Sequence, residues 1–335
     1  MKEALSSIRQ RARMREVFDP IRPRLELVDQ FFSNELRAAL PMVAEVGGYV
    51  LGSGGKRVRP SLVLLISRML GYSGDRDVRY GAVVELIHTA TLIHDDIIDG
   101  SDLRRGKPTA NRRWNNETTV LVGDWLYSRS MDLCLEYGDV AVMRRLNAAT
   151  LRMTEGEILS AKVRGRIDID EATYMDITQR KTAELFAAAC SIPALFEPST
   201  TRYEEHLRRF GLDLGLCFQL IDDVLDFTAA RKHLGKPVMA DLREGRATLP
   251  IILLLEKVDR ATRERLAAVA RDRSFDAISE EEILRLVDEA GALETVRARA
   301  AALADRAVDV AHFLPECPER DALIGATRLL LDRDR

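Results

Sequence analysis

The sequence predicts an all-α protein. Apolar residues recur at three- and four-residue spacing through most of the chain, strand-like alternation is nearly absent, and the interruptions are short. In chain order the helical periodicity runs through Leu25 to Leu40, Leu62 to Leu70, Val120 to Leu135, Val142 to Ile158, Thr173 to Ile192 and Leu249 to Val258. Two stretches, Val83 to Ile93 and Phe210 to Ile221, are apolar enough to be buried helices. Thr200 or Thr201 stands where it would start the helix carrying Glu204 to Leu212. Ser279-Glu280-Glu281-Glu282 is a capping box ahead of Ile283. The main breaks are Gly52 to Gly55, Gly100 to Pro108 and Ala229 to Gly245, and none has the composition of a domain linker.

Composition narrows the class. With 335 residues, 46% hydrophobic and 31% charged, the chain can bury a large core, as one big domain or two ordinary ones. A net charge of -3 argues against a nucleic-acid binder. Cys134, Cys190, Cys217 and Cys317 are scattered, mostly in apolar helical contexts, and read as reduced core residues without zinc-site spacing. The N-terminal stretch is basic but has no apolar signal region, and no segment approaches the ~18 apolar residues of a membrane span. A cytoplasmic protein is expected.

The most informative feature is a duplication. Asp95-Asp96-Ile97-Ile98-Asp99 and Asp222-Asp223-Val224-Leu225-Asp226 have the same form, and each follows a long apolar stretch. On a helix, positions i and i+4 share a face, so Asp95 with Asp99, and Asp222 with Asp226, each offer paired carboxylates to one region of space. One acidic cluster is commonly a solvated helix end. Two clusters that close buried helices need partners, because buried carboxylates are costly alone. Oxygen donors without cysteine suit a hard cation. Mg2+ takes one or two carboxylates and completes its shell with waters and phosphate oxygens, whereas the spacing of neither run fits an EF-hand loop.

Basic residues cluster near the breaks. Lys56, Arg57 and Arg59 follow the glycines, Arg104 and Arg105 follow the first run, and Lys232, Lys236 and Arg246 follow the second. A diphosphate needs this combination: metal ions to bridge its oxygens, arginine forks, and lysine as a point charge. Gly54 and Gly55 would allow close backbone approach.

The segments GGKRVRP (Gly54 to Pro60), ELIHTATLIHDDIIDGSDLRRGKPT (Glu85 to Thr109), GDWLYSR (Gly123 to Arg129), EGE (Glu155 to Glu157), KTAELF (Lys181 to Phe186), FQLIDDVLD (Phe218 to Asp226) and LGKPVMADLREGRATLP (Leu234 to Pro250) resemble the trans-isoprenyl diphosphate synthases. Seven motifs occur in family order. The resemblance implies the isoprenoid synthase fold, antiparallel helices around a central catalytic cavity with the two aspartate runs facing each other. It further implies a single polyprenyl synthetase domain over residues 1–335, with residues 1–20 as an N-terminal helical extension, and a homodimer.

The implied reaction is head-to-tail prenyl transfer between isoprenyl diphosphates. More than one Mg2+, held by Asp95, Asp99 and Asp222 with Asp96, Asp223 and Asp226 in support, would grip the allylic diphosphate and draw off its leaving charge. Isopentenyl diphosphate then attacks the allylic cation. By position in the family pattern, Lys56, Arg59, His88 and Arg105 would bind isopentenyl diphosphate, and Arg104, Lys181, Thr182, Gln219 and Lys236 would serve the allylic diphosphate. Arg57 is left an electrostatic or structural role. Two departures from the pattern stand out: Ser160 occupies a common glutamine position, and Trp125 replaces a common phenylalanine. Met239-Ala240 also precedes Asp241 where glycine or aspartate is frequent.

Ala90 and Thr91 lie five and four residues before Asp95, where short-chain members of the family place aromatic side chains as a floor for the growing tail. Small groups there imply a long-chain product of the octaprenyl kind, made from farnesyl diphosphate for a quinone side chain, unless the helix of Met131 to Leu135 sets the floor. The competing readings are a short-chain farnesyl or geranylgeranyl synthase, a non-catalytic synthase subunit, and an HD-type phosphohydrolase built on His88 and His94-Asp95. So apolar a product must leave into lipid, so transient membrane contact, aided by the basic stretch Arg9 to Arg15, is a further expectation.

Overall fold

The protein, seen in a computed structural model, is described over residues 17–52, 57–104, 106–232 and 239–332. Among these residues it is helical throughout except for one two-stranded hairpin, Leu103–Arg104 paired antiparallel with Lys107–Pro108. The helices are α1 (Arg22–Ala38), α2 (Pro41–Leu51), α3 (Val58–Met69), α4 (Arg76–Asp99), α5 (Ala110–Trp114), α6 (Asn116–Glu136), α7 (Val140–Val163), α8 (Glu171–Thr178), α9 (Glu184–Ser191), α10 (Glu204–Lys232), α11 (Ala240–Arg243), α12 (Leu249–Leu255), α13 (Arg260–Asp272), α14 (Glu280–Glu289), α15 (Ala292–Ala311) and α16 (Pro318–Leu331). Residues 1–16, and with them most of the expected N-terminal extension, lie outside the described residues, as do Gly54, Gly55, Lys56, Arg105 and Lys236.

Two apolar cores fill the bundle. One is built on α1 to α4, α6, α7 and α9, and the other on α8 and α11 to α15. Helix α3 is buried over most of its length, with Leu62 to Ile66 at 1% exposure or less and Arg68 exposed near its end. Helix α10 belongs to both cores: Phe210 and Leu214 pack in the first, and Cys217, Leu220 and Val224 in the second. It approaches α9 at backbone distance, since a Cβ on Gly211 would stand 2.6 Å from the Ala187 Cα.

Ends and caps follow the local sequence. Ser279 accepts from the Glu282 N–H and caps α14 as the box predicts. Helix α4 stops at Gly100, which takes the left-handed conformation (φ 67°) at no steric cost. The helical stretch does start at Thr201, as a turn of 3-10 helix over Thr201–Tyr203 that leads into α10, but neither threonine caps it through its side chain, since both hydroxyls donate to carbonyls instead. The long helix expected over Thr173 to Ile192 is interrupted by a π-turn, Gln179–Ala183, closed by the Glu184 N–H on the Gln179 carbonyl. Helix α12 ends at Leu255, short of Val258. Arg57 is structural, pairing with Glu85 at 2.9 Å and Asp29 at 3.2 Å at the start of α3.

Candidate active site

The first aspartate run closes α4, and the second lies inside α10, which continues beyond it to Lys232. Both contribute to one continuous depression. A larger cavity of about 560 Å³ is lined by Asp95 and Asp222 together with Arg59, His88, Ala90 and Thr91. A smaller one of about 230 Å³ has Asp95, Asp99, Asp223, Asp241, Arg164 and Arg246 among its lining residues. The two share Leu92, Asp95, Arg104, Lys181, Thr182 and Gln219, so the shared residues form the seam of a single site.

Within the first run each carboxylate has a basic partner. Asp95 lies 3.6 Å from the Lys181 ammonium, which also pairs with Glu157 from α7. Burial pushes the Asp95 carboxyl up to about 6 against the pull of Lys181. Asp96 is buried and held at 2.7 Å by Arg104 from the hairpin. Asp99 accepts from Arg164 at 2.6 Å and from Arg246 at 2.7 Å. Arg246 also reaches Asp241 at 2.6 Å, so one guanidinium ties the end of α4 to the segment after α10.

In the second run, Asp223 and Asp226 are held by neutral donors. Asp223 accepts from the Tyr174 hydroxyl and from the Gln219 amide at 2.9 Å, and Gln219 in turn accepts from Thr182 at 3.1 Å. Asp226 accepts from the backbone N–H groups of Ala240 (3.1 Å) and Asp241 (3.2 Å). That contact fastens Met239, a buried residue in the left-handed region at φ 50°, where a non-glycine residue is strained. Burial, reinforced by the Asp241 charge, pushes Asp223 up to about 8 and Asp226 up to about 7.

The i and i+4 carboxylates of the first run, Asp95 and Asp99, share the smaller cavity as helix geometry suggested, whereas in the second run Asp226 turns away from Asp222 to hold a loop. Asp96 and Asp226 hold loops, while Asp95, Asp99, Asp222 and Asp223 face the cavities. Arg59, His88, Arg104, Lys181, Thr182 and Gln219 are all brought to the site. Arg59 stands over the Phe186 ring at 4.5 Å, its Nε buried without a partner, and burial pushes it down to about 10. A desolvated, under-satisfied guanidinium at a cavity wall suits an anionic ligand. The sequence points to no role for Glu157, Arg164 and Tyr174, and to Arg246 and Asp241 only through the basic cluster and the last motif. Glu157 belongs to the EGE motif, Asp241 and Arg246 to a basic-acidic loop, but Arg164 and Tyr174 carry no local signal.

Among the described residues no three His, Cys, Asp or Glu side chains stand close enough to form a ready-made metal cage. The donor set nevertheless fits Mg2+, which needs few carboxylates and completes its shell with waters and substrate phosphate oxygens. The raised acids that line the cavities, Asp95 and Asp223, are the groups a bound cation would restore to the charged form.

Comparison with known proteins identifies the family. The polyprenyl synthetase family model matches residues 40–287. Octaprenyl diphosphate synthase of Escherichia coli is 38% identical over 90% of this chain and 93% of its own length. All-trans-nonaprenyl-diphosphate synthase of Rhodobacter capsulatus is 36% identical over 95% of this chain and 97% of its own. Among solved structures, a decaprenyl diphosphate synthase from Rhodobacter capsulatus superposes with a TM-score of 0.89 at 32% identity, covering 96% of this chain and 99% of that one. A polyprenyl synthase from Caulobacter crescentus, solved with calcium and isoprenyl diphosphate, superposes with a TM-score of 0.88 at 32% identity, covering 96% and 98%. With its motifs in order, its aspartate runs lining one cavity and its all-α isoprenoid synthase fold, the chain belongs to the polyprenyl synthetase family.

Proposed function

We propose that the protein condenses isopentenyl diphosphate with an allylic diphosphate, farnesyl diphosphate being the expected primer, to make a long-chain all-trans polyprenyl diphosphate destined for a quinone. The observation that carries the chain-length reading is the wall of the larger cavity behind Asp95, where Ala90 and Thr91 leave room for a tail. Mg2+, bound through Asp95, Asp99 and Asp222, would draw off the charge of the departing diphosphate.

The remaining work falls to side chains of the protein. Arg104, Lys181 and Arg246 surround the smaller cavity and neutralise the allylic diphosphate as its C–O bond breaks. Arg59 offers its unpaired Nε to the second diphosphate. The Thr182–Gln219–Asp223 chain fixes the wall between the two substrates. The double bond of isopentenyl diphosphate forms the new C–C bond, and the proton lost from it passes to the pyrophosphate released in the same site.

Replacing Ala90 with Tyr and sizing the products by chromatography tests the chain-length reading. The expected result is a shift to short prenyl products, and an unchanged product would overturn it. Incubating the purified chain alone with Mg2+ and both diphosphates separates the enzyme from a subunit that needs a partner, a relevant contrast because the chain is also 34% identical to component 2 of a heptaprenyl diphosphate synthase from Geobacillus stearothermophilus.

A homodimer is part of the proposal. Val120, Leu121, Tyr127 and Leu135 on α6 and Val140, Leu151 and Ile158 on α7 are exposed and fall on one stripe of each helix. Leu151→Glu is expected to leave a monomer in sedimentation, and a dimer surviving it would redirect the interface elsewhere. No helix among the described residues is long and apolar enough to cross a membrane. A cytoplasmic protein with brief bilayer contact during product release fits that proposal.

A further inference from the structure

The π-turn Gln179–Ala183 presents two neighbouring residues to the same site, Lys181 to Asp95 and Glu157, and Thr182 to Gln219. In a regular α-helix adjacent side chains stand about 100° apart, so the two would diverge. A π-turn is wider by one residue, and such turns recur at functional sites. It is held here from two sides at backbone distance. On α7, a Cβ at Gly156 would meet the Arg180 Cβ at 2.8 Å and the Lys181 backbone nitrogen at 2.8 Å. On α10, a Cβ at Gly215 would meet the Ala183 Cα at 2.6 Å. Neither contact is with the movable end of a side chain, so a methyl group at either position must displace the turn itself. Neither glycine has a positive φ, so neither is required for its own backbone conformation.

We propose that Gly156 and Gly215 form a clamp that holds the π-turn in place, and that both are positioning residues for prenyl transfer, acting through Lys181 and Thr182 without touching substrate. The inference rests on the prenyl-transfer reading. It adds two residues to the machinery, one in the EGE motif and one on the turn of α10 that precedes Gln219.

Gly211 supplies a control of the same kind. It lies one turn before Gly215 on α10, and its Cβ would meet the Ala187 Cα and the Phe186 carbonyl oxygen at 2.6 Å, against α9 and away from the turn. Gly156→Ala, Gly215→Ala and Gly211→Ala are compared for melting temperature, kcat, KM for each diphosphate, and affinity for inorganic pyrophosphate with Mg2+. The expected result is a similar fall in melting temperature for all three. Only Gly156→Ala and Gly215→Ala should lose kcat by tenfold or more, with weaker pyrophosphate binding. In a Lys181→Ala background the further loss from Gly156→Ala should shrink below threefold, because both changes act on one group. Parallel losses of kcat and melting temperature across the three variants overturn the clamp, and so does full multiplication of the Gly156 and Lys181 effects. If neither clamp variant folds while Gly211→Ala does, the glycines serve folding alone and the proposal falls. A wild type inert toward its diphosphates speaks against the prenyl-transfer reading, and the clamp is then judged by the pyrophosphate affinities.

Discussion

The two aspartate runs share a sequence pattern but not an electrostatic setting. The carboxylates of the first are met by Lys181, Arg104, Arg164 and Arg246. In the second, Asp223 and Asp226 are met by a phenol, an amide and two backbone N–H groups. A basic partner neutralises a buried carboxylate within the protein, whereas a neutral donor stabilises it but leaves its charge in place. The first run therefore carries compensating charge within the protein, although burial still holds Asp95 raised to about 6. The second carries acids displaced to about 8 and about 7, and their negative charge awaits a proton or a cation. One motif thus supplies a run paired by ionic contacts and a run whose Asp223 and Asp226 are held by neutral donors.

The largest effects should separate the members that face the cavities from those that hold loops. Asp95→Asn and Asp222→Asn are expected to lower kcat by about 10³-fold, the scale of losing a group that stabilises charge in the transition state. Asp96→Asn and Asp226→Asn should lose far less. Incorporation of labelled isopentenyl diphosphate measures all four, and an equal loss at every position would erase the division.

A second test concerns the bridge made by Arg246. Arg246→Met leaves Asp99 and Asp241 short of a partner, and removing one member of a buried ionic network costs ~3 kcal/mol. A lowered midpoint in urea denaturation is expected, and an unchanged midpoint would mean that Arg164 alone suffices for Asp99.

The smallest effect is on pH dependence. Asp223 faces Tyr174 from α8, Asp241 from α11 and Asp222 on its own helix, and Asp226 faces Asp241 and Arg246. Their folded-state acidities are weakened relative to the unfolded chain, so the folded protein holds protons that the unfolded chain releases. Stability is greatest on the acid side and falls as pH rises toward about 8, by ~1–2 kcal/mol. Melting temperatures of the ligand-free protein between about pH 6 and 8.5 should decline, and Mg2+ with pyrophosphate should flatten the slope. A flat profile without ligand would show that the second run is as well compensated as the first.

Much of this was legible in the residues. Helical periodicity, the paired runs and the basic loops are local patterns, and the fold class and the aspartates of the site followed from them, whereas His88, Lys181, Thr182 and Gln219 followed only from the family resemblance. The division of labour within each run was not legible, because it depends on partners distant in the chain. Tyr174 stands 49 residues from Asp223 and looks like any apolar helix residue. Arg164 follows α7 with no flanking motif, yet closes on Asp99. The π-turn was hidden because apolar spacing continues smoothly through Thr173 to Ile192, and periodicity does not register one extra residue in a turn. Gly156 was visible within EGE, but the reason for a glycine there lies in the backbone of another element.

Helix α10 packs in both apolar cores and carries the second run between them. The molecule therefore has no seam along which one half could melt while the other persists. Helix α15 also packs in both cores, with Ala307 and Ala311 in the first and Val296 and Ala300 in the second. Loosening either helix removes side chains from both cores together and couples the stability of the site to the cooperativity of the whole chain.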